Sequence, residues 1–159
     1  MAHFKRVLFL SLTLCWMAVI FRFSAQEAQA SSNLSGGFIE RLLSLLIEDF
    51  DAMDEPSRFA MIDSLQTLVR KCAHMGVYAV LGVFVALFMS TFPVSASRVF
   101  VITLAICVIY AASDEIHQYF VPGRSCEFRD VCIDSLGSLV GIVLCRFVFY
   151  VNKRKVRHG

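Results

Sequence analysis

The run Val99 to Ala112, VFVITLAICVIYAA, passes without a break into Ser113 to Arg124, SDEIHQYFVPGR. The first part is as apolar as a lipid tail. The second holds two acids, a histidine, an amide and an arginine. A bilayer takes about 20 helical residues at about 1.5 Å each, so the apolar run alone is too short to cross one. It reaches that thickness when the helix continues into Ser113–Gln118, giving a span over about residues 96–116. Asp114 and Glu115 then lie at the hydrocarbon boundary, where ionisable groups are costly enough to imply partners and a function.

Working outward, the same composition recurs in blocks. The chain has 159 residues, 57% of them hydrophobic and 18% charged, against about 25% charged in a typical globular chain. Apolar runs over about residues 4–23, 73–92 and 131–151 predict three further spans. The fold class expected is therefore all-α: a polytopic membrane protein with four transmembrane helices, forming a single domain over 1–159. Ser24 to Gly37, rich in Ser, Ala and Gln, reads as a loop. The segment 38–72 reads as amphipathic helices too polar to span, one with Phe38, Leu42, Leu45 and Leu46 at helical spacing. The other starts at Pro56 behind Asp54 or Glu55 and carries Phe59, Ile62, Leu65, Leu68 and Cys72. Both are expected along the membrane surface or capping the bundle. The short link Pro93 to Arg98 implies an antiparallel helix pair.

Charge gives the orientation. Lys5 and Arg6 precede the first span, and Lys153, Arg154, Lys155 and Arg157 follow the last. Basic flanks mark the cytoplasmic side, and four spans return the chain to the side on which it began. Both termini are then cytoplasmic, with 24–72 and 113–130 on the outer face. Ala28-Gln29-Ala30 also resembles a signal-peptide cleavage site, but it lies far beyond the apolar run and Arg22 intervenes. A retained first span is the preferred reading. The net charge of +2 gives no reason to expect nucleic acid as a partner. Six cysteines show no CxxC pairing, so a zinc reading fails on spacing.

Helical spacing sorts the polar residues into three stripes at one depth. Lys71, His74, Tyr78 and Gly82 share a face of the second span, with Arg70 one turn before His74. Asp114, His117 and Gln118 share a face of the third. Asp130, Asp134, Gly137 and Gly141 share a face of the fourth, where the two glycines form a GxxxG that admits close helix approach. Asp114 or Glu115 beside His117 would tune an imidazole for proton transfer, with His74 and Gln118 as further catalytic candidates. Arg70, Lys71, Arg124 and Arg129 suit a phosphate or carboxylate, with Tyr78, Asp130 and Asp134 completing the candidate substrate site. The structural alternatives are a satisfied interface histidine at His74 and an Arg129–Asp134 ion pair that holds helices together. A metal site built from Asp114, His117, His74 and Asp134 is a further alternative, but no ligand signature accompanies it; no metal or cofactor is expected.

At these residues the chain resembles a known family. Asp114-Glu115-x-His117-Gln118, Pro122-Gly123-Arg124 and Arg129-Asp130-x-x-x-Asp134-x-x-Gly137 look like the signature of VanZ-like membrane proteins. Arg70-Lys71-x-x-His74 followed by Tyr78, and Ser24-x-Gln26, are similar to further parts of that pattern. The resemblance implies a small polytopic bacterial membrane protein of a family named for teicoplanin resistance, with no reaction assigned. The partner it implies is a membrane lipid, a lipid-linked cell-envelope substrate or the lipoglycopeptide antibiotic itself. Three functional readings stand beside each other: an enzyme acting on such an amphiphile, a non-catalytic binding protein, and a scaffold whose polar cluster only holds the helices. No GxSxG elbow, Walker loop or nucleotide fingerprint is present to favour the first. Four spans without an inverted repeat leave little room for alternating-access transport.

Overall fold

Asp54-Glu55-Pro56 begins the helix to which most of the others pack. The Asp54 carboxylate accepts a hydrogen bond from the Ser57 N–H at 3.1 Å, and Pro56 occupies the first turn, where its missing N–H costs nothing. From there the chain stays helical for 35 residues, Glu55–Met89. The expected break between an amphipathic helix ending near Cys72 and a span starting at Ala73 does not exist. No glycine or proline interrupts 57–75, so the two segments join. At about 1.5 Å per residue this helix is about 50 Å long, well beyond a hydrocarbon core of about 30 Å. Counting about 20 spanning residues back from Met89 reaches Arg70, so the N-terminal part projects past the bilayer and Arg70, Lys71 and His74 sit at the boundary.

The computed structural model describes residues 2–158, and the side chains of these except 2, 28–31, 34 and 152–158. Its helices are α1 (Ala2–Ser24), α2 (Ala28–Leu46), α3 (Glu55–Met89), α4 (Ala96–Tyr119) and α5 (Phe128–His158), with a 3-10 turn at Phe50–Ala52 and no strand among the described residues. Four helices are long and apolar enough to cross a membrane: His3–Ser24, Glu55–Met89, Ala96–Tyr119 and Phe128–Val151. Exposed Val101, Ile109, Val143, Leu144, Phe147 and Val148 give these spans the lipid-facing surface of a membrane-embedded protein. The side chains of the basic tail and of 28–30, on which the orientation and cleavage readings partly rest, lie outside the described residues.

Contacts between α1, α3 and α4 fix the helix directions. Arg6 donates to the Thr91 carbonyl at 3.2 Å and its guanidinium lies 4.4 Å from the Phe92 ring centroid. The start of α1 therefore meets the α3–α4 turn. At the opposite end Gln118 reaches Ser24, so α1 and α4 run parallel. Midway, Tyr110 Oη donates to the Met17 carbonyl at 2.7 Å and Trp16 Nε1 donates to the Val77 carbonyl at 2.9 Å.

α3 and α5 are also parallel, and their seam is the closest in the molecule. A Cβ at Gly82 would collide with the Ser138 backbone, at Gly137 with the Met75 backbone, and at Gly141 with the Ala79 backbone. The GxxxG face does what its spacing predicts, letting two backbones touch where side chains would hold them apart.

Outside the bundle, α2 folds back on the projecting part of α3. Ile39, Leu43 and Phe50 are buried against Met61, Ile62 and Leu65, a compact apolar cluster beneath the helix. Phe38, Leu42, Leu45 and Leu46 stay exposed. The expected loop over 24–37 is mostly helix: only 25–27 separate α1 from α2. Asp49 in the left-handed region (φ 66°) turns the chain out of α2, a conformation that a short polar side chain tolerates.

Candidate functional site

The turn after α4 builds the site. Val121-Pro122-Gly123-Arg124 closes with Arg124 N–H donating to the Val121 carbonyl at 3.1 Å, and Gly123 takes φ 75°. Proline second and a positive-φ glycine third are the requirements of a type II turn. This turn directs Arg124 back over the end of α1. Its Nε donates to the Gln26 carbonyl at 2.9 Å and its Nη1 to Gln118 Oε1 at 3.2 Å.

Gln118 then passes the connection inward. Its amide donates to Ser24 Oγ and to Asp114 Oδ2, both at 3.3 Å, and Tyr78 Oη donates to the same Asp114 oxygen at 3.1 Å. Asp114, Gln118, Ser24 and Tyr78 are all buried, so one polar chain runs from the charged turn into the bundle. Asp114 Oδ1 has no partner. On the α3–α5 seam, Lys71 pairs with Asp130 at 2.5 Å and His74 Nδ1 lies 3.7 Å from Asp134 Oδ1. Asp134 is fully buried, and neither carboxylate oxygen has a hydrogen-bond partner. The alternative of an Arg129–Asp134 ion pair is not realised; Arg129 is exposed, and the group beside Asp134 is His74 from α3.

Two cavities meet at these residues. One, of about 360 Å³, is chiefly apolar and lies between α1, α2 and α3, with Ile20, Phe23, Phe38, Val69 and Val77 among its walls. The other, of about 300 Å³, is polar, and Lys71, Gln118, Arg129, Asp130 and Asp134 contribute to its lining. Arg70, His74 and Arg124 line both. Burial and the neighbouring Arg70 push the Arg124 guanidinium below its ordinary value, opposed by Asp114 and Glu115. Two guanidinium-bearing residues thus line both cavities, an arrangement that favours an anion there.

Ten of the sequence candidates line one cavity or the other: Arg70, Lys71, His74, Tyr78, Asp114, Gln118, Arg124, Arg129, Asp130 and Asp134. Glu115 and His117 do not. Glu115 is buried and accepts the Glu127 N–H at 3.0 Å, tying α4 to the start of α5. His117 stacks on Phe21 of α1, with ring centroids 4.2 Å apart. It is in no ion pair among the described residues. The alternative metal set is likewise not assembled, and no group of three or more metal-ligating residues gathers among the described residues. The site also includes Ser24, Gln26, Ser35 and Phe38, which helical stripes on the spans did not reveal. Ser24-x-Gln26 was visible as a motif; the part played by α2 was not, because its start read as a loop.

No curated protein and no solved structure matches the chain. The model of the VanZ/LLP1 family matches residues 9–150, a range that takes in the second and third spans whole, most of the first and fourth, the α3–α5 seam, the turn at Pro122-Gly123 and every residue lining the two cavities. The chain belongs to the VanZ/LLP1 family.

Proposed function

We propose that this protein binds the anionic headgroup of a membrane lipid or lipid-linked envelope amphiphile at the outer face of the bacterial plasma membrane. Through that ligand it would act in glycopeptide (teicoplanin) resistance. One observation carries the reading: an apolar cavity and a polar one share Arg70, His74 and Arg124 in their walls. An amphiphile has the same division. Its chain suits the apolar walls, and arginine is well matched to a phosphate or carboxylate at the junction. The family's association with teicoplanin resistance supplies the biological setting, and the basic chain ends supply the orientation.

A second reading, modification of the bound headgroup, is favoured by the His74–Asp134 contact at 3.7 Å. A carboxylate that orients an imidazole beside an anion site is the usual means of positioning a proton acceptor. The two readings and the scaffold alternative separate in one experiment. Arg124→Gln, Arg70→Gln and His74→Ala are compared for membrane abundance, amphiphile binding and teicoplanin susceptibility. Both arginine variants are expected at normal abundance with binding and resistance lost. His74→Ala with binding kept and resistance lost favours modification; loss of abundance in all three favours the scaffold. Normal abundance with full resistance in both arginine variants would sink the proposal.

A further inference from the structure

The site holds more than cations. Among the residues lining the polar cavity, Lys71 is neutralised by Asp130, Glu127 is exposed and bonded to Ser125, and Arg129 is exposed. The remaining ionisable groups on that lining are Arg70 and Arg124, which also line the apolar cavity, and His74 with Asp134. Asp134 comes from α5, is fully buried, and carries two carboxylate oxygens without a hydrogen-bond donor. His74 Nδ1 stands at ion-pair distance, 3.7 Å, without a hydrogen bond, and the Ser138 hydroxyl donates to the Asp134 and Tyr78 carbonyls rather than to the carboxylate. A buried acceptor left bare is expensive, and a ligand that brings its own donor removes that cost.

We infer that the ligand headgroup is zwitterionic, with a phosphodiester between Arg70 and Arg124 and a primary ammonium at Asp134. This rests on the amphiphile reading above and narrows its substrate class. The site matches such a headgroup in kind: two cations line both cavities, and Asp134, without a hydrogen-bond donor, lines the polar one, while Asp114 on the apolar cavity already accepts from Tyr78 and Gln118. A headgroup with anionic character alone would satisfy the arginines and leave Asp134 as it is. A trimethylated ammonium would bring charge to Asp134 but no N–H.

The test uses the full-length chain in detergent, titrated with phospholipids of identical acyl chains and followed by native mass spectrometry. The headgroups are ethanolamine, its N-methyl and N,N-dimethyl forms, choline and glycerol. Ethanolamine is expected to bind about tenfold tighter than glycerol, the size of one charge-assisted hydrogen bond, and affinity is expected to fall with each methyl group that replaces an N–H. Asp134→Asn is expected to erase the difference between ethanolamine and glycerol. Should that variant fail to fold, the methylation series on the unaltered protein decides the matter alone. Glycerol binding as tight as ethanolamine, and still abolished by Arg70→Gln, overturns the zwitterion and leaves the anionic-headgroup reading intact. Binding that ignores both Arg70→Gln and Arg124→Gln, or no binding of any lipid, overturns the reading beneath it.

Discussion

Asp114 and Glu115 are neighbours in sequence with different work, and the reason is the helix itself. At 3.6 residues per turn, adjacent side chains point about 100° apart. Asp114 faces α3 and takes the Tyr78 hydroxyl, while Glu115 takes the Glu127 N–H at the start of α5. That both acids need partners was legible, because charge beside an apolar run is costly wherever it points. Which partner each would find was not, since it depends on how α4 is rotated against three other helices. The same rotation carries His117 away from Asp114 and onto Phe21, although spacing alone puts them on one face. Tyr78→Phe tests the Asp114 end of the polar chain. It leaves Asp114 with only the longer contact from Gln118, so the variant is expected to lose about 1–3 kcal/mol of stability. A lowered unfolding temperature in detergent checks this; an unchanged one would show that the Tyr78 bond carries no weight.

Among the elements, the α3–α5 seam was the most legible and α2 the least. Gly137 and Gly141 at GxxxG spacing announce close packing before any partner is known, and the structure supplies the partner as the α3 backbone at Met75 and Ala79. α2 was seen only from Phe38 onward. Its first turns hold Ser, Gln and Asn, which have weak helix propensity, and part of their support is tertiary: Gln66 of α3 donates to Ser35 Oγ at 2.9 Å. The continuity of α3 is hidden for a different reason. A change from amphipathic to wholly apolar composition suggests a boundary, although no residue there can end a helix. Glycine substitutions test the seam. Gly141→Ala drives a Cβ into the Ala79 carbonyl and is expected to cost about 1–3 kcal/mol by overpacking. Gly76→Ala is its control, because nothing lies within 4 Å of its Cβ position. That change is expected to be neutral or to stabilise by about 0.5–1 kcal/mol through helix propensity. Thermal unfolding of the two variants side by side measures the difference, and equal behaviour would mean the seam tolerates a methyl group.

For the whole molecule, four spans and their helical class were readable from composition, because a bilayer demands long apolar helices and little else satisfies it. The cavities were not readable, since one lies where α1, α2 and α3 fail to fill the space between them and the other where α3, the end of α4 and the start of α5 do not close. The helix directions place the 120–127 turn at the end opposite the Arg6–Thr91 contact. In the proposed orientation, with Lys5 and Arg6 cytoplasmic, Ser125→Cys in an otherwise cysteine-free chain is expected to react with an impermeant maleimide added outside intact cells. Protection until the cells are opened would reverse the orientation. Trp16 offers a separate kind of access to the protein. It is the one tryptophan of the chain, its indole N–H is bound to the carbonyl of Val77, and Val77 is a wall of the apolar cavity. The fluorophore is thus wired to the helix turn that an acyl chain would touch. Its ultraviolet emission becomes a built-in optical gauge of cavity filling, readable in unlabelled protein as each candidate amphiphile is added.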